Sequence, residues 1–137
     1  MVTENTKGPA MNLHVARQHY RRLGQPESQP SNDPHALIAL VMAELHSALE
    51  RLVIAGSNQA PLPADAMVRA MSALYILQSS LDMEADPDIA VPLFQVYEFC
   101  RQQILAGFRK EAETIDGLKK AHGFVGSLKD AWNQMPR

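Results

Sequence analysis

Three groups of side chains could do chemistry in this chain, and their spacing argues against each. The histidines are His14, His19, His35, His46 and His122. A metal site carried on one helix needs ligands three or four residues apart, and no two of these histidines are so placed. Neither H-E-x-x-H nor the paired Glu-x-x-His motifs of carboxylate-bridged bundles occurs. No metal or cofactor is expected. Asp82, Glu84, Asp86 and Asp88 have the rhythm of a calcium loop, but the central glycine and closing glutamate are missing and Pro87 interrupts the run. A polar turn with helix caps is the expectation. Cys100, between Phe99 and Arg101 in a helical pattern, reads as a small buried hydrophobe rather than a nucleophile. As the single cysteine it makes no internal disulfide, which fits a reducing compartment. No Ser-His-Asp set is positioned, no glycine-rich loop follows a strand, and the expectation is a protein that is not an enzyme.

One segment keeps a chemical alternative open. Ala121-His122-Gly123-Phe124-Val125-Gly126-Ser127 resembles the phosphorylatable segment of histidine phosphotransfer domains. In that resemblance Val125 falls where those domains place a charge-stabilising lysine, and too little chain follows His122 to complete their bundle. The competing expectation is a histidine packed on a helix face beside small residues.

The elements that must position these side chains are helices. A chain of 137 residues is one domain's worth, enough to bury about two-thirds of its unfolded surface. Apolar residues make up 46% and aromatics 6%, with good helix formers abundant. A net charge of −2 argues against nucleic acid, the short basic run His19-Tyr20-Arg21-Arg22 notwithstanding. No apolar run approaches the ~20 residues of a membrane span, and Met1 to Asn12 lacks a signal-peptide pattern, so the expected location is cytoplasmic. Residues 1–32 are expected to form a mobile N-terminal segment, with a short helix over Met11 to Leu23 and a linker over Gln25 to Asn32. Residues 33–137 are expected to form the helical bundle domain.

Asp33-Pro34 is a cap followed by proline at the first helical position. Leu37, Ile38, Val41, Leu45, Ala48, Leu49, Leu52 and Val53 then fall at helical spacing until Gly56-Ser57-Asn58. A second bundle helix begins at Asp65 with the face Met67, Ala70, Met71, Leu74, Leu77 and Leu81. A third begins near Asp86-Pro87 with the face Ile89, Leu93, Val96, Tyr97, Cys100, Ile104 and Phe108; Pro92 either kinks it or marks the start of its regular part. The last covers about Glu111 to Gln134, with Ile115, Leu118, His122, Val125, Leu128 and Trp132 on one side; Gly117, Gly123 and Gly126 weaken it or else allow a neighbouring helix to approach closely. Short connections predict an all-α fold: an antiparallel up-and-down four-helix bundle with an additional short N-terminal helix.

Six pieces, in order from Tyr20 to Trp132, resemble the flagellar secretion chaperone family, the FliS-type export chaperones of flagellin. Tyr20 matches an aromatic that precedes the bundle, and Asp33-Pro34 with Leu37-Ile38 and Val41-Met42 matches the family's Ser-Pro helix start and apolar face. Arg69-Ala70 stands for Lys-Ala, and Leu81-Asp82 for the Leu-Asp that ends the same helix. Ala90-Val91-Pro92-Leu93-Phe94-Gln95-Val96-Tyr97 follows Ala-x-Asn-Leu-x-x-Leu-Tyr, and Leu128-Lys129-Asp130-Ala131-Trp132 follows Leu-Arg-x-Ala-Trp. Pro92 replaces the asparagine, and Glu84-Ala85-Asp86-Pro87-Asp88 replaces a glycine-rich turn.

The resemblance implies a cytoplasmic chaperone that holds the disordered C-terminal segment of flagellin in an apolar groove and prevents premature polymerisation. The partners implied are flagellin and, beyond it, components of the flagellar export apparatus, with a homodimer left open. The candidate binding residues are Leu40, Val41, Glu44, Leu77, Leu81, Leu93, Val96 and Tyr97, each apolar one with plain core as the competing expectation. Tyr20 is the candidate lid, and Met42, Met67, Met71 and Met83 are candidates for adaptable packing. A histidine phosphotransfer protein using His122 and a generic helical interaction module are the alternatives.

Overall fold

The computed structural model describes residues 33–110 and 114–135. Within them the chain forms four helices and no strand: α1 (Pro34–Ser57), α2 (Ala64–Ser79), α3 (Pro87–Phe108) and α4 (Thr114–Gln134). The expected N-terminal helix over Met11 to Leu23 lies outside the described residues, as does Tyr20.

The start of α1 follows from its cap. Asp33 is extended (φ −75°, ψ 111°), and its Oδ1 accepts a 3.0 Å hydrogen bond from the His35 N–H, satisfying one of the free donors of the first turn. The helix ends at Ser57, and the chain turns at Gln59 in the left-handed region (φ 58°) rather than at a glycine. Gly56 has a different use. A Cβ there would stand 2.8 Å from Ile115 Cδ1, so the missing side chain admits α4.

α2 begins at Ala64 without a side-chain cap, its first-turn Asp65 instead gripping Arg51 of α1 through bonds of 2.8 and 3.1 Å. Asp86 precedes α3 but does not cap it with its side chain. The acidic turn is organised by Asp82, whose Oδ1 accepts from the Glu84 and Ala85 N–H groups. It is therefore the polar turn expected, but without the expected side-chain cap on α3: the Asp82 bonds close the turn itself. α3 runs through Pro92, which lies on the exposed side of the helix. There water can serve the Asp88 carbonyl that proline leaves without its helical donor.

α1 packs against α2 and α4, and α3 packs against the same two, so that among the described residues α1 lies across the core from α3, and α2 from α4. The core is the stripe that this ring encloses. Leu37, Ile38, Val41, Leu45, Ala48, Leu49 and Leu52 are buried along α1. Each large aliphatic among them contributes about 1.5–3 kcal/mol by leaving water. Opposite them α2 offers Ala66, Ala70 and Ala73, small residues that let the two helices approach closely, and then Leu74 and Leu77. Tyr97, Cys100 and Ile104 of α3 and Leu118, Ala121 and Val125 of α4 close the core. Met42, expected as an adaptable surface residue, is buried among them. Cys100 behaves as the small hydrophobe expected: it is fully buried, and desolvation pushes its thiol up to about 12.

Candidate partner-binding surface

The first half of α3 departs from the amphipathic rule over a short run, whereas α1 (Leu40, Ile54), α2 (Val68, Tyr75) and α4 (Phe124) expose apolar side chains more widely spaced. A surface helix normally confines its apolar residues to the face that meets the core. Along Ile89-Ala90-Val91-Pro92-Leu93-Phe94, apolar side chains occur on every side. Ala90 is buried and Leu93 half-buried, but Ile89 is 54%, Val91 39% and Phe94 38% exposed. Met83, in the preceding turn, is exposed too. Ile89 is therefore not the core residue that its spacing predicted. Phe108, at the other end of the same predicted face, is likewise exposed.

The neighbours of this strip differ on its two sides. Toward α2 lies Glu98, which accepts hydrogen bonds from Gln78 of α2 and from Arg101 and Gln102 of its own helix. These donors, the Arg101 guanidinium first, hold its carboxyl down at about 2. Toward α4 lies an apolar seam. The Phe99 and Phe124 rings meet edge to face with centroids 5.5 Å apart. Val96, one turn before Phe99, and Leu128, one turn after Phe124, are both half-buried against the core. The seam thus continues Ile89 and Val96 along the α3–α4 edge, whereas Val91 and Phe94 lie two turns and one turn before Glu98 on the α2 side. Neither Phe99 nor Phe124 stood out in the sequence, because neither falls on its helix's main apolar stripe.

The predicted binding residues separate into three groups. Val41, Leu77 and Tyr97 are fully buried, so their side chains are core. Tyr97 brings a cost with it: its hydroxyl is buried without a hydrogen-bond partner, and desolvation raises its pKa far above the ordinary range. Leu81, Leu93 and Val96 are half-buried against the core around the α2–α3 turn and along α3. Leu40 and Glu44 stand one turn apart on the edge of α1 that faces α2. Leu40 is 38% exposed, and Glu44 is paired with Arg69 of α2. Since α1 and α3 are diagonal to one another in the ring, this last pair and the exposed residues of α3 are separated by α2.

Two histidine contacts tie α4 to α1. At one end His35 and Trp132 stack with centroids 4.8 Å apart and planes 11° apart. The Trp132 indole N–H donates to the His35 carbonyl at 2.8 Å, and His35 Nε2 lies 2.6 Å from the Trp132 carbonyl. Trp132 is the anchor of the last helix. Nearer the middle His46 stacks on His122, centroids 4.3 Å and planes 22° apart. Burial first, then the His122 and Lys129 charges, lower the His46 pKa, against Glu50 and Asp130. His122 Nε2 is buried and makes no hydrogen bond. That suits a packed histidine and not an exposed phosphoryl acceptor. Val125, in the position a charge-stabilising lysine would need, is core.

At the opposite end of the bundle from the α3 strip, a cleft of about 710 Å³ opens between Leu62, Met67, Phe108, Ile115 and Leu118. No helix of the described chain is long and apolar enough to cross a membrane.

Comparison with known proteins agrees with the architecture. The family described as "Flagellar protein FliS" matches residues 16–137. The flagellar secretion chaperone FliS of Vibrio cholerae serotype O1 (strain ATCC 39315 / El Tor Inaba N16961) is 27% identical over 124 residues, covering 87% of this chain and 87% of that protein. No solved structure matches the chain.

Proposed function

The chain belongs to the flagellar protein FliS family, and from that premise we propose that it is a cytoplasmic flagellar export chaperone, acting by binding and not by catalysis. The similar protein of Vibrio cholerae carries the name flagellar secretion chaperone. The guest proposed is the disordered C-terminal segment of flagellin, held so that it cannot polymerise before export.

The observation that carries this proposal is the exposed apolar first half of α3. Ile89, Val91 and Phe94 are exposed within six consecutive residues, a denser group of exposed apolar side chains than α1, α2 or α4 carries. An apolar guest that folds on binding covers such a strip, at an ordering cost of about 2–5 kcal/mol that keeps the complex releasable. In this proposal Leu81, Leu93 and Val96 are contacted directly. Val41, Leu77 and Tyr97 support the surface from beneath. Leu40 and Glu44 are reached by a guest that continues across α2. An antiparallel up-and-down order of the helices is part of the proposal; it is supported by the pairing of Arg51 with Asp65 and of Glu44 with Arg69, in which later α1 residues meet earlier α2 residues. The bundle domain over residues 33–137, the lid role of Tyr20 and docking to export components belong to the same proposal.

Mixing the purified chain with flagellin from the same organism tests it. The expected result is a stoichiometric complex by size-exclusion chromatography, lost when the flagellin C-terminal segment is deleted. A complex indifferent to that deletion contradicts the proposal. For the lid, removal of residues 1–24 should raise guest affinity; unchanged affinity removes that role.

A further inference from the structure

His46 and Glu50 are one turn apart on α1, and His122 faces them from α4. One ligand atom from each, an imidazole nitrogen twice and a carboxylate oxygen once, lie within 4.8 Å of one another. No local spacing signals this group, since the two histidines belong to helices far apart in the chain. From this geometry we propose that His46, Glu50 and His122 form a binding site for a borderline divalent metal ion, zinc by preference, which clamps α4 to α1.

Three further features support it. His122 Nε2 is buried with no hydrogen bond, and the Glu50 carboxylate, 4.0 Å away, is too distant to provide one. A buried ring nitrogen without a partner costs free energy that a coordinate bond recovers. Next, Gly126 stands beside the pair. A Cβ there would come within 3.3 Å of His46 Nε2, so the glycine keeps clear the space in which that ring moves. Alanine at a helix interior is favoured over glycine by about 1 kcal/mol, and here the smaller residue leaves the ring room to turn. Last, the ligand set is selective. Two imidazoles and one carboxylate suit zinc, whereas magnesium and calcium require oxygen donors.

The geometry requires modest contraction. Bonds of about 2.1 Å at tetrahedral angles place ligand atoms about 3.4 Å apart. The stacked imidazoles must rotate out of parallel so that both nitrogens point at one centre. Glu50 is exposed and moves without disturbing the core. The fourth position goes to water. Because α1 and α3 are the neighbours of α4 in the ring, a bond from His122 to α1 adds directly to its docking, alongside the His35–Trp132 contact.

The test is isothermal titration of ZnCl2 into the full chain, purified without a histidine tag and stripped with chelator. Thermal melts with zinc and with magnesium, and the absorption spectrum with Co²⁺, accompany it. The expected result is one zinc per chain, a raised melting temperature with zinc and not with magnesium, and a tetrahedral cobalt spectrum. His122→Gln and Glu50→Gln should each weaken zinc at least about tenfold, since even partners one shell further out are worth 10–100-fold. Glu50→Gln is at an exposed position, so its loss of affinity is readable even where a histidine variant loosens the fold. Absence of zinc uptake overturns the proposal. So does uptake unchanged in both variants, which assigns the ion to other histidines, or an equal response to magnesium.

Discussion

α1 and the first half of α3 have similar stocks of apolar residues and use them differently. In α1 the large side chains from Leu37 to Leu52 are almost all inside, and the outer face carries Arg51 and Glu50. In α3, Ile89, Val91 and Phe94 remain outside while Ala90 and Tyr97 fill the core. A helix that buries its whole apolar stripe is explained by the fold. One that crowds exposed aliphatic and aromatic side chains into two turns is a candidate surface for a partner to cover. In the function proposed, the stability of the bundle and the capture of a guest fall to different helices.

The contrast breaks most visibly in α1. Leu49→Ala empties a fully buried position and should destabilise the fold by about 2–5 kcal/mol, read from urea denaturation. Phe94→Ala, on the exposed strip, should cost under about 0.5 kcal/mol in the same assay. Equal losses would mean that the α3 strip is core after all. A finer distinction lies within α3. Tyr97→Phe removes a buried hydroxyl that has no partner, and should leave stability unchanged or raise it by about 1 kcal/mol, the reverse of what a hydrogen-bonded tyrosine would show. A clear loss would reveal that the hydroxyl has a partner.

The smallest effect concerns pH. The Glu98 carboxyl is held well below its ordinary value, at about 2. A carboxylate whose folded pKa is depressed stabilises the fold above its unfolded pKa and loses that contribution as pH falls toward the folded one. Glu98 is partly solvated, so the contribution is under about 1 kcal/mol. Glu98→Gln should therefore lie slightly below the parent chain in stability at pH 7 and converge with it between about pH 4.5 and 2. A constant gap across that range would assign the effect to packing.

How much of this was legible in the sequence differs in the same way between the helices. α1 could be read in detail because cap, proline and a single apolar stripe agreed: Asp33 caps, and seven of the eight residues predicted to share its face are buried. The core members Leu74, Leu77, Tyr97, Cys100, Ile104, Leu118 and Val125 were legible for the same reason. The exposure of Ile89 and Phe108 was not, because periodicity finds a face without saying whether a neighbour covers all of it. Three of the candidate binding residues, Val41, Leu77 and Tyr97, prove buried on the same account. Phe99 against Phe124 and His46 against His122 depend on the register between α4 and its two neighbours, which no local pattern encodes. The turn chemistry was half legible: the acidic stretch is a turn, but Asp82 and not Asp86 supplies the side-chain bonds.

The most direct test of the central claim, that the exposed α3 strip receives the guest, is calorimetric titration of flagellin into the chain carrying Ile89→Ser, Val91→Ser and Phe94→Ser together, beside the parent. Each side chain is worth about 1.5–3 kcal/mol when fully covered. The account predicts an affinity at least about 100-fold lower with an unchanged melting temperature. Parent-like affinity in a folded triple variant would contradict it.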